Sequence, residues 1–372
     1  MSAELRIEHL RKVFNTGKPA VDDVSFTIGA GEIVVLLGPS GCGKTTTLRC
    51  VAGLEHPTGG VISLGGEVIS APEQGVLMPP RLRNVGMVFQ SYAVWPHMTV
   101  RQNVAYPLKN RGLSRAQADA KVAEALALVD LASYADRPVT QLSGGQMQRV
   151  ALARSMVYAP RLLLLDEPLS NLDAQLRLRL RDDLRRIIKA AGLTALYVTH
   201  DQTEAVVLGD RIGVMRDGKL LQIASPQEVY NRPADLFVAS FTGATNFIAG
   251  RVIDRAGDLG RVQVGEGHIL SAWMPASVGP GASVRVAVRP ENIHLAPAGD
   301  GPNHFTARVR AQRYQGMQTT YDLDLFGASF EALEMGTTAR HPVGSDVRIA
   351  LPPEQAWAYA ATADDAAVMA PH

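Results

Sequence analysis

A glycine-rich segment between a fully apolar run and a helix-compatible run most constrains how this chain can fold. Residues Gly38–Thr45 read G-P-S-G-C-G-K-T and follow Ile33–Leu37, which is typical of a strand buried on both faces. The next run, Lys44–Ala52, favours a helix. Glycines let the backbone curl so that successive N–H groups point inward, and a helix start adds positive potential. The segment therefore predicts a phosphate-binding loop.

Residues of this loop have expected chemical roles. Lys44 should reach the β- and γ-phosphates of a nucleotide, and the Thr45 hydroxyl should bind Mg²⁺. Cys42 serves either as a small filler or as a thiol that makes activity sensitive to oxidation. The residues expected to contact the nucleotide here are Gly38, Pro39, Ser40, Gly41, Cys42, Gly43, Lys44, Thr45 and Thr46.

Residues 1–243 alternate between predicted strands and helices. Leu162–Leu165 and Ala195–Thr199 predict two further buried strands, with a helix from about Asp173 to Ala191 between them. Buried strands separated by helices indicate a parallel α/β sheet. A helix that opens at Ser114 and another over Met147–Tyr158 indicate a helical subdomain, at about residues 91–158, inserted into this core.

The composition changes near Gly243, after which short alternating runs are separated by Gly and Pro. In Ser283–Arg289, for example, valines alternate with other residues, as in a half-buried strand. We therefore expect residues 244–372 to form a small all-β, barrel-like domain, with an Ala-rich tail from Ala360 that frays.

Polar side chains follow the predicted strands directly. Asp166 and Glu167 end an apolar strand, although burying two like charges side by side is costly. Asp166 fits the Mg²⁺-binding acid of a phosphate-loop NTPase, and Glu167 fits a general base that activates water. Gln90 and His200 also come at strand ends. Because the carboxyl ends of parallel strands meet at one edge, we expect these residues to converge with Lys44.

A second candidate anion site lies in Leu142–Gln146, which reads L-S-G-G-Q. Ser143 can cap the following helix, and Gly144 and Gly145 leave the amides at its start uncovered. The segment is also compatible with a flexible loop that precedes a helix.

The composition excludes several classes of protein. Lys and Arg number 37 and Asp and Glu 36, so a formal net charge of +1 argues against nucleic-acid binding by bulk charge. Two cysteines exclude a disulfide scaffold and a four-cysteine zinc site, and favour a reducing compartment. No apolar run is long enough to span a membrane, and Met1–Lys12 lacks the features of a secretory signal. A cytosolic chain that reaches a membrane through partners is expected.

Together, the motifs resemble those of ATP-binding subunits of ABC transporters, over about residues 4–240. Gly38–Thr45 resembles the Walker A motif, Leu162–Glu167 Walker B and Leu142–Gln146 the family signature. Gln90 matches the Q-loop of the family, Ser170–Asp173 matches the D-loop, and His200 matches the switch histidine. Phe14 matches the aromatic residue, usually Tyr, that stacks on adenine. The resemblance implies ATP and Mg²⁺ as cofactors, with Thr45, Gln90 and Asp166 at the metal and Glu167, His200 and Gln90 in catalysis.

The resemblance also implies a head-to-tail homodimer with ATP at its interface. Ser143, Gly144, Gly145 and Gln146 of one chain would contact the ATP held by the Gly38–Thr45 loop of the other, and Asp173 would couple the two sites. Two membrane permease subunits would dock near Gln90, Trp95, Pro96 and Met98, although ordinary packing also explains these apolar residues. A solute-binding protein would take part indirectly, and no nucleic acid. The location implied is the cytoplasmic face of the membrane, as a peripheral subunit.

The C-terminal domain, residues 244–372, resembles the oligosaccharide-binding-type (TOBE) domain of importer ATPases, and would act as a dimer brace or as a regulatory sensor. The function implied is ATP hydrolysis that energises solute import. Ser91–Met98 and Gly243–Phe247 resemble relatives that serve ferric iron, polyamines or phosphonates more than those that serve sugars. The alternative is a soluble ABC ATPase that acts on ribosomes or DNA. The single phosphate loop and the near-neutral charge argue against it.

Overall fold

The computed structural model describes residues 2–15, 17–109, 111–243 and 245–361 and divides the chain between Val229 and Tyr230 into two units. The part of the predicted Ala-rich tail beyond residue 361 lies outside the described residues. So does Ala244, which belongs to the segment Gly243–Phe247. The strands of the first unit are β1 (Leu5–Val13), β2 (Pro19–Ile28), β3 (Ile33–Leu37), β4 (Gly59–Leu64), β5 (Glu67–Ala71), β6 (Val76–Leu77), β7 (Val85–Val88), β8 (Leu162–Asp166), β9 (Ala195–Thr199), β10 (Arg211–Arg216) and β11 (Lys219–Ala224). Its helices are α1 (Lys44–Ala52), α2 (Val100–Ala105), α3 (Arg115–Leu128), α4 (Gly144–Met156), α5 (Ala174–Ala190) and α6 (Gln202–Leu208), and α7 (Pro226–Asn231) crosses the boundary.

A six-stranded sheet, in the order β11-β10-β3-β9-β8-β7, forms the core of the first unit. Its strands run parallel except β11, which pairs antiparallel with β10. Every residue of β3, β8 and β9 is buried. These apolar strands share one hydrophobic cluster with α1 and with residues of β1 and β2. The register pairs Leu37 with Thr199 and Asp166 with Val198. The predicted parallel α/β fold is confirmed, and its polar strand ends lie along one edge.

A second, antiparallel sheet in the order β2-β1-β4-β5-β6 was not predicted from the sequence. In β1 of this sheet, buried and exposed residues alternate only as far as Ile7. His9 then adopts a left-handed backbone conformation (φ 51°), and the register with β2 shifts before Leu10. The bulge breaks the period of two that identifies a strand in sequence.

Helices α2, α3 and α4 come between β7 and β8, which are neighbours in the sheet, as expected for an inserted helical subdomain. Each begins with a capping box, and that of α4 joins Ser143 to Gln146. This box starts α4 at Gly144, three residues before the predicted start, because it fixes Gly144 and Gly145 inside the first turn. Among the described residues, no helix is both long enough and apolar enough to cross a membrane.

The described part of the second unit includes the helix α8 (Leu236–Phe241), and the rest of its regular structure is mainly β. The strands are β12 (Asn246–Ala256), β13 (Leu259–Val264), β14 (His268–Trp273), β15 (Ser283–Val288), β16 (His294–Leu295), β17 (His304–Tyr314), β18 (Gln318–Leu325), β19 (Ala328–Met335), β20 (Asp346–Ala350) and β21 (Ala356–Ala360). A closed barrel, in the order β12-β13-β14-β21-β15, is accompanied by a five-stranded sheet in the order β16-β20-β17-β18-β19. The prediction of an all-β, barrel-like domain is therefore confirmed, with the additional sheet as a difference.

The boundary between the units precedes the predicted boundary at Gly243, and Arg289 explains the difference. Its fully buried guanidinium lies 3.7 Å from the centre of the Tyr230 ring. It donates hydrogen bonds to the Thr242 hydroxyl (2.9 Å) and the Tyr230 carbonyl (3.1 Å). Residues 230–243 therefore pack as part of the second unit.

Candidate active site

The glycine-rich loop between β3 and α1 fits closely between backbone segments. A Cβ atom on Gly43 would lie 2.3 Å from the carbonyl oxygen of Ala20, and one on Gly38 would lie 2.3 Å from that of Met215. Gly43 also has a φ of +105°, which side chains disfavour. Glycine is therefore required at both positions.

The Lys44 side chain lies within this loop and is 4% exposed. Its ammonium donates hydrogen bonds to the carbonyl oxygens of Gly38 (2.8 Å) and Pro39 (2.9 Å). The Cys42 sulfur lies 3.7 Å away. Burial raises the pKa of the Cys42 thiol, although the Lys44 charge opposes this effect. The thiol therefore stays protonated near neutral pH, which favours the small filler over a reactive cysteine.

Thr45 and Asp166 meet where α1 begins and β8 ends. The Thr45 hydroxyl donates a 2.9 Å hydrogen bond to Asp166 Oδ1. Burial raises the pKa of the Asp166 carboxyl, while Thr45 and the guanidinium of Arg49, 3.8 Å from Oδ2, lower it. Sequence reasoning missed Arg49, although its position four residues after Thr45 places both on one face of α1.

Glu167 and His200 follow adjacent strands and contact each other. Glu167 has a left-handed backbone conformation (φ 45°), and its N–H donates to the carbonyl of Val198 (3.0 Å). Its Oε2 atom lies 3.2 Å from His200 Nδ1, a hydrogen bond whose donor depends on the histidine tautomer. The Glu167 side chain is 20% exposed and that of His200 51% exposed. A carboxylate and an imidazole are thus placed together at the open edge of the sheet.

Gln90 lies two residues after Val88, the partner of Leu165 in the sheet. Its carbonyl oxygen accepts a 2.9 Å hydrogen bond from the Asn171 side chain, and the Gln90 residue is exposed. The structure therefore brings Gln90 to the edge that carries Asp166, next to the segment Ser170–Asp173.

Ser143–Gln146 and Asp173 make local contacts in this structure. Ser143 and Gln146 cap each other at the start of α4, and Asp173 caps α5 by accepting from Leu176 N–H at 3.0 Å. A Cβ atom on Gly144 would lie 3.0 Å from the Tyr92 hydroxyl. Within the described chain, no hydrogen bond joins Ser143–Gln146 to the Gly38–Thr45 loop.

Phe14 follows β1 and is 40% exposed. Its preceding residue, Val13, pairs with Pro19, which adjoins the Ala20 carbonyl that abuts Gly43. The Lys12 ammonium lies 4.6 Å from the centre of the Phe14 ring. The ring is thus attached to the strand pair that borders the glycine-rich loop.

Trp95 packs inside the helical subdomain as well as facing outward. Its ring lies 4.3 Å from the ring of Tyr106 and 4.6 Å from the Arg154 guanidinium, measured between centres. Its backbone N–H donates to Asn103 Oδ1 at 2.9 Å. Pro96 is exposed and Met98 is half-buried. Tyr106, 42% exposed, belongs to this surface and was missed because it lies beyond the segment after Gln90.

Comparisons with known proteins identify the family of this chain. A family model described as ABC transporter matches residues 21–170, and a TOBE domain model matches residues 286–358. The Fe(3+) ions import ATP-binding protein FbpC of Agrobacterium fabrum is 46% identical over 318 residues, which cover 85% of this chain and 86% of that protein. The spermidine/putrescine import ATP-binding protein PotA of Pseudomonas fluorescens is 44% identical over 339 residues, which cover 90% of this chain and 92% of that protein.

A solved structure gives the same result for the fold. It is that of cbiO1 from Clostridium perfringens, described as part of the ABC transporter complex cbiONQ. It is 28% identical, with a TM-score of 0.57, and the match covers 63% of this chain and 94% of that chain. The phosphate loop, the paired acids and the extent of the likeness lead to one conclusion: the chain belongs to the ABC transporter family of import ATP-binding proteins, ATPases whose hydrolysis of ATP energises the import of a solute.

Proposed function

We propose that the residues at the carboxyl edge of the parallel sheet bind and hydrolyse ATP together with Mg²⁺. The observation that carries this proposal is the contact of two residue pairs at that edge, Thr45 with Asp166 (2.9 Å) and Glu167 with His200 (3.2 Å). The loop Gly38–Thr46 holds the phosphates, Lys44 pairs with the β- and γ-phosphates, and Phe14 stacks on the adenine.

The donor set around Asp166 fits Mg²⁺. A hydroxyl, a carboxylate and an amide, from Thr45, Asp166 and Gln90, are the oxygen ligands that this ion takes. The described residues contain no cluster of three or more His, Cys, Asp or Glu side chains suited to a metal. That agrees with an ion held by one carboxylate and the phosphates of its nucleotide. When bound, Mg²⁺ neutralises charge on the transferred phosphoryl group.

The protein residues divide the remaining chemistry. Glu167 accepts a proton from the attacking water, which is the role of a general base. His200 and Gln90 orient the water and the γ-phosphate, and Lys44 stabilises the charge that develops on the phosphoryl group. The Glu167–His200 contact supports this arrangement because it keeps the carboxylate directed toward the histidine.

The site requires a second copy of the chain. We propose a head-to-tail homodimer in which Ser143, Gly144, Gly145 and Gln146 of one copy contact the ATP in the Gly38–Thr46 loop of the other, with Asp173 coupling the two sites. Ser143 caps the start of α4. The start of a helix presents N–H groups to an anion. ATP then stabilises the closed dimer, and the hydrolysis of ATP allows the dimer to open.

We further propose that the surface formed by Gln90, Trp95, Pro96 and Met98 binds two membrane permease subunits. The exposed rings of Phe89 and Tyr106 extend this surface, and such apolar groups suit helix-in-groove docking. A peripheral position at the cytoplasmic face of the membrane follows. The nucleotide-binding part lies before the boundary between Val229 and Tyr230, and the β domain that follows acts as a brace or a regulator of the dimer.

The proposed cargo is ferric iron, a polyamine or a phosphonate rather than a sugar. The relatives named for Fe(3+) import and for spermidine/putrescine import support the first two. A solute-binding protein would deliver the cargo to the permease.

A tagged Glu167→Gln variant tests this proposal in native membranes. With ATP and Mg²⁺ the variant should copurify with two permease subunits, or two copies of one, as read by mass spectrometry. Its matched control is Lys44→Ala under the same conditions, which should recover fewer permease subunits because nucleotide does not close the dimer. Recovery of a homodimer alone, or of ribosomal proteins, would overturn the importer proposal.

Any solute-binding protein recovered with the complex identifies the cargo. Its affinities for ferric iron, spermidine, a phosphonate and maltose would be measured by calorimetry. Tight binding of maltose alone would contradict the proposed cargo and leave the importer assignment in place.

A further inference from the structure

A buried polar cluster next to His200 has no role in the chemistry described above. Its centre is Glu204, in the first turn of α6, which is 3% exposed. Glu204 Oε2 accepts a 2.7 Å hydrogen bond from the Tyr197 hydroxyl and a 2.8 Å hydrogen bond from the Thr199 hydroxyl. Both donors lie on β9, the strand that leads directly to His200.

Protonation of the three groups fits this pattern of donors and acceptor. Burial raises the pKa of the Tyr197 phenol well above its ordinary value, so its hydroxyl remains a donor. Burial also raises the pKa of the Glu204 carboxyl, although the hydrogen bonds from Tyr197 and Thr199 lower it. A side chain without an acceptor at this position would leave two buried hydroxyl donors without an acceptor, which is unfavourable.

Glu204 is connected to the residues on both sides of His200. On one side, its carboxylate holds the Thr199 hydroxyl, which itself accepts a 2.9 Å hydrogen bond from Asp201 N–H. On the other side, the Glu204 backbone N–H donates to Asp201 Oδ1 at 3.1 Å. The turn Thr199–Asp201 is therefore fixed at each end by a single residue of α6.

We infer that Glu204 is a positioning residue for ATP hydrolysis, which fixes the turn Thr199–Asp201 so that the His200 imidazole meets Glu167. The inference rests on the role proposed for His200. Glu204 does not touch the nucleotide; it acts through the placement of a catalytic group. Displacement of such a group by about 1 Å is enough to reduce turnover roughly 100-fold.

Steady-state ATP hydrolysis by the purified full-length chain tests the inference. Glu204→Ala should lower kcat between about 10-fold and 100-fold, with ATP affinity unchanged because the Gly38–Thr46 loop is untouched. Glu204→Gln should recover most of kcat, since its amide oxygen still accepts hydrogen bonds. Val206→Ala is the matched control, because Val206 is 49% exposed on the same helix, and it should behave as the parent chain.

A second variant covers the case in which Glu204→Ala does not fold. Thr199→Val removes only the hydroxyl that links Glu204 to Asp201, and it should also lower kcat at unchanged ATP affinity. Parental kcat in Thr199→Val, or a loss of ATP affinity equal to the loss of kcat, would overturn the inference.

The His200→Ala background separates this inference from the proposal beneath it. If Glu204 acts through His200, adding Glu204→Ala to His200→Ala should cause no further loss of kcat. A further loss of kcat as large as that in the parent chain would show that Glu204 acts independently of His200, and would overturn the inference. Parental kcat in His200→Ala alone would instead overturn the proposed role of His200.

Discussion

The Thr45 hydroxyl donates a 2.9 Å hydrogen bond to Asp166 Oδ1, which joins the start of α1 to the end of β8. Asp166 is 5% exposed, and burial raises the pKa of its carboxyl despite the nearby Arg49 guanidinium. The ionised carboxylate is thus less stable here than in water, and within the described parts of the chain the Thr45 hydroxyl is its one hydrogen-bond donor. A residue kept charged at such a cost is suited to bind a cation rather than to stabilise the fold.

Asp166→Asn should therefore separate activity from stability. Mg²⁺-dependent hydrolysis should fall by about 100-fold or more, because the metal loses its anionic ligand. The free energy of unfolding of the nucleotide-free chain should stay constant or rise near pH 7, since the raised pKa means that ionisation of Asp166 destabilises the folded state. A Mg²⁺ titration of phosphate release and urea unfolding measure the two effects.

The control for this variant is Asp136→Asn, because the Asp136 side chain is 84% exposed and pairs with Arg101 in the helical subdomain. It should alter neither quantity. Near-parental hydrolysis by Asp166→Asn would exclude Asp166 as the metal ligand.

Lys44→Ala should weaken ATP binding by about 10-fold or more, since a charge-assisted hydrogen bond to phosphate contributes roughly 1.5–3 kcal/mol. In the free chain the Lys44 ammonium bonds to the Gly38 and Pro39 carbonyls, so the variant also leaves two loop carbonyls without their donor. Calorimetric titration with ATP measures the affinity. Lys18→Ala is the control, since the Lys18 side chain is 77% exposed. Unchanged binding by Lys44→Ala would refute the role of Lys44.

The phosphate loop and the central strands could be predicted because their information is local. Ile33–Leu37 and Lys44–Ala52 have the predicted bounds, since an apolar run, a glycine-rich turn and a helix-forming run follow one another without interruption. The sheet that contains β1 could not be predicted, because the left-handed conformation of His9 interrupts its alternation. Strand pairing across such a bulge depends on contacts between distant parts of the chain.

The site residues that follow strands could be predicted from the sequence. The residues that fix their positions through contacts between elements could not. Asp166, Glu167 and His200 are recognised by their place after apolar strands. By contrast, Arg177 donates to the Leu172 carbonyl (3.1 Å) and contacts Asp201 (3.5 Å), a link that depends on how α5 packs beside α6. No sequence spacing predicts such a contact, because an arginine in a helix usually faces solvent.

Arg289→Ala should destabilise the second unit strongly. The Arg289 guanidinium is fully buried, burial lowers its pKa, and its hydrogen bonds hold Tyr230 and Thr242. Removing the guanidinium leaves these buried oxygen acceptors without their donor, at a cost of about 1–3 kcal/mol each. Urea unfolding, followed by tryptophan fluorescence, to which Trp273 and Trp357 of the barrel contribute, measures the change. Arg308→Ala, at an exposed position of β17, is the control and should cost little.

Asp210 gives the fold a pH-dependent contact near β3. Its carboxylate accepts hydrogen bonds from Ile33 N–H (2.8 Å), Arg185 (2.9 Å) and Lys189 (2.5 Å). Burial by itself raises the pKa of Asp210, but these three donors outweigh it and hold the pKa below its ordinary value. A lowered carboxyl pKa means that the folded state releases its proton more readily than the unfolded state does. The contact therefore stabilises the protein above the ordinary pKa of the carboxyl, and less as pH falls through the lowered value.

Asp210→Asn should accordingly reduce the free energy of unfolding by about 1–2 kcal/mol at neutral pH, after allowance for solvent screening of this partly exposed group. The difference from the parent chain should narrow as the pH is lowered into the acidic range where Asp210 itself becomes protonated. Urea unfolding of both chains at a series of pH values measures it. Asp182→Asn, whose side chain is 69% exposed, is the control. A difference that is constant with pH would show that the charge of Asp210 does not contribute, and that only its shape does.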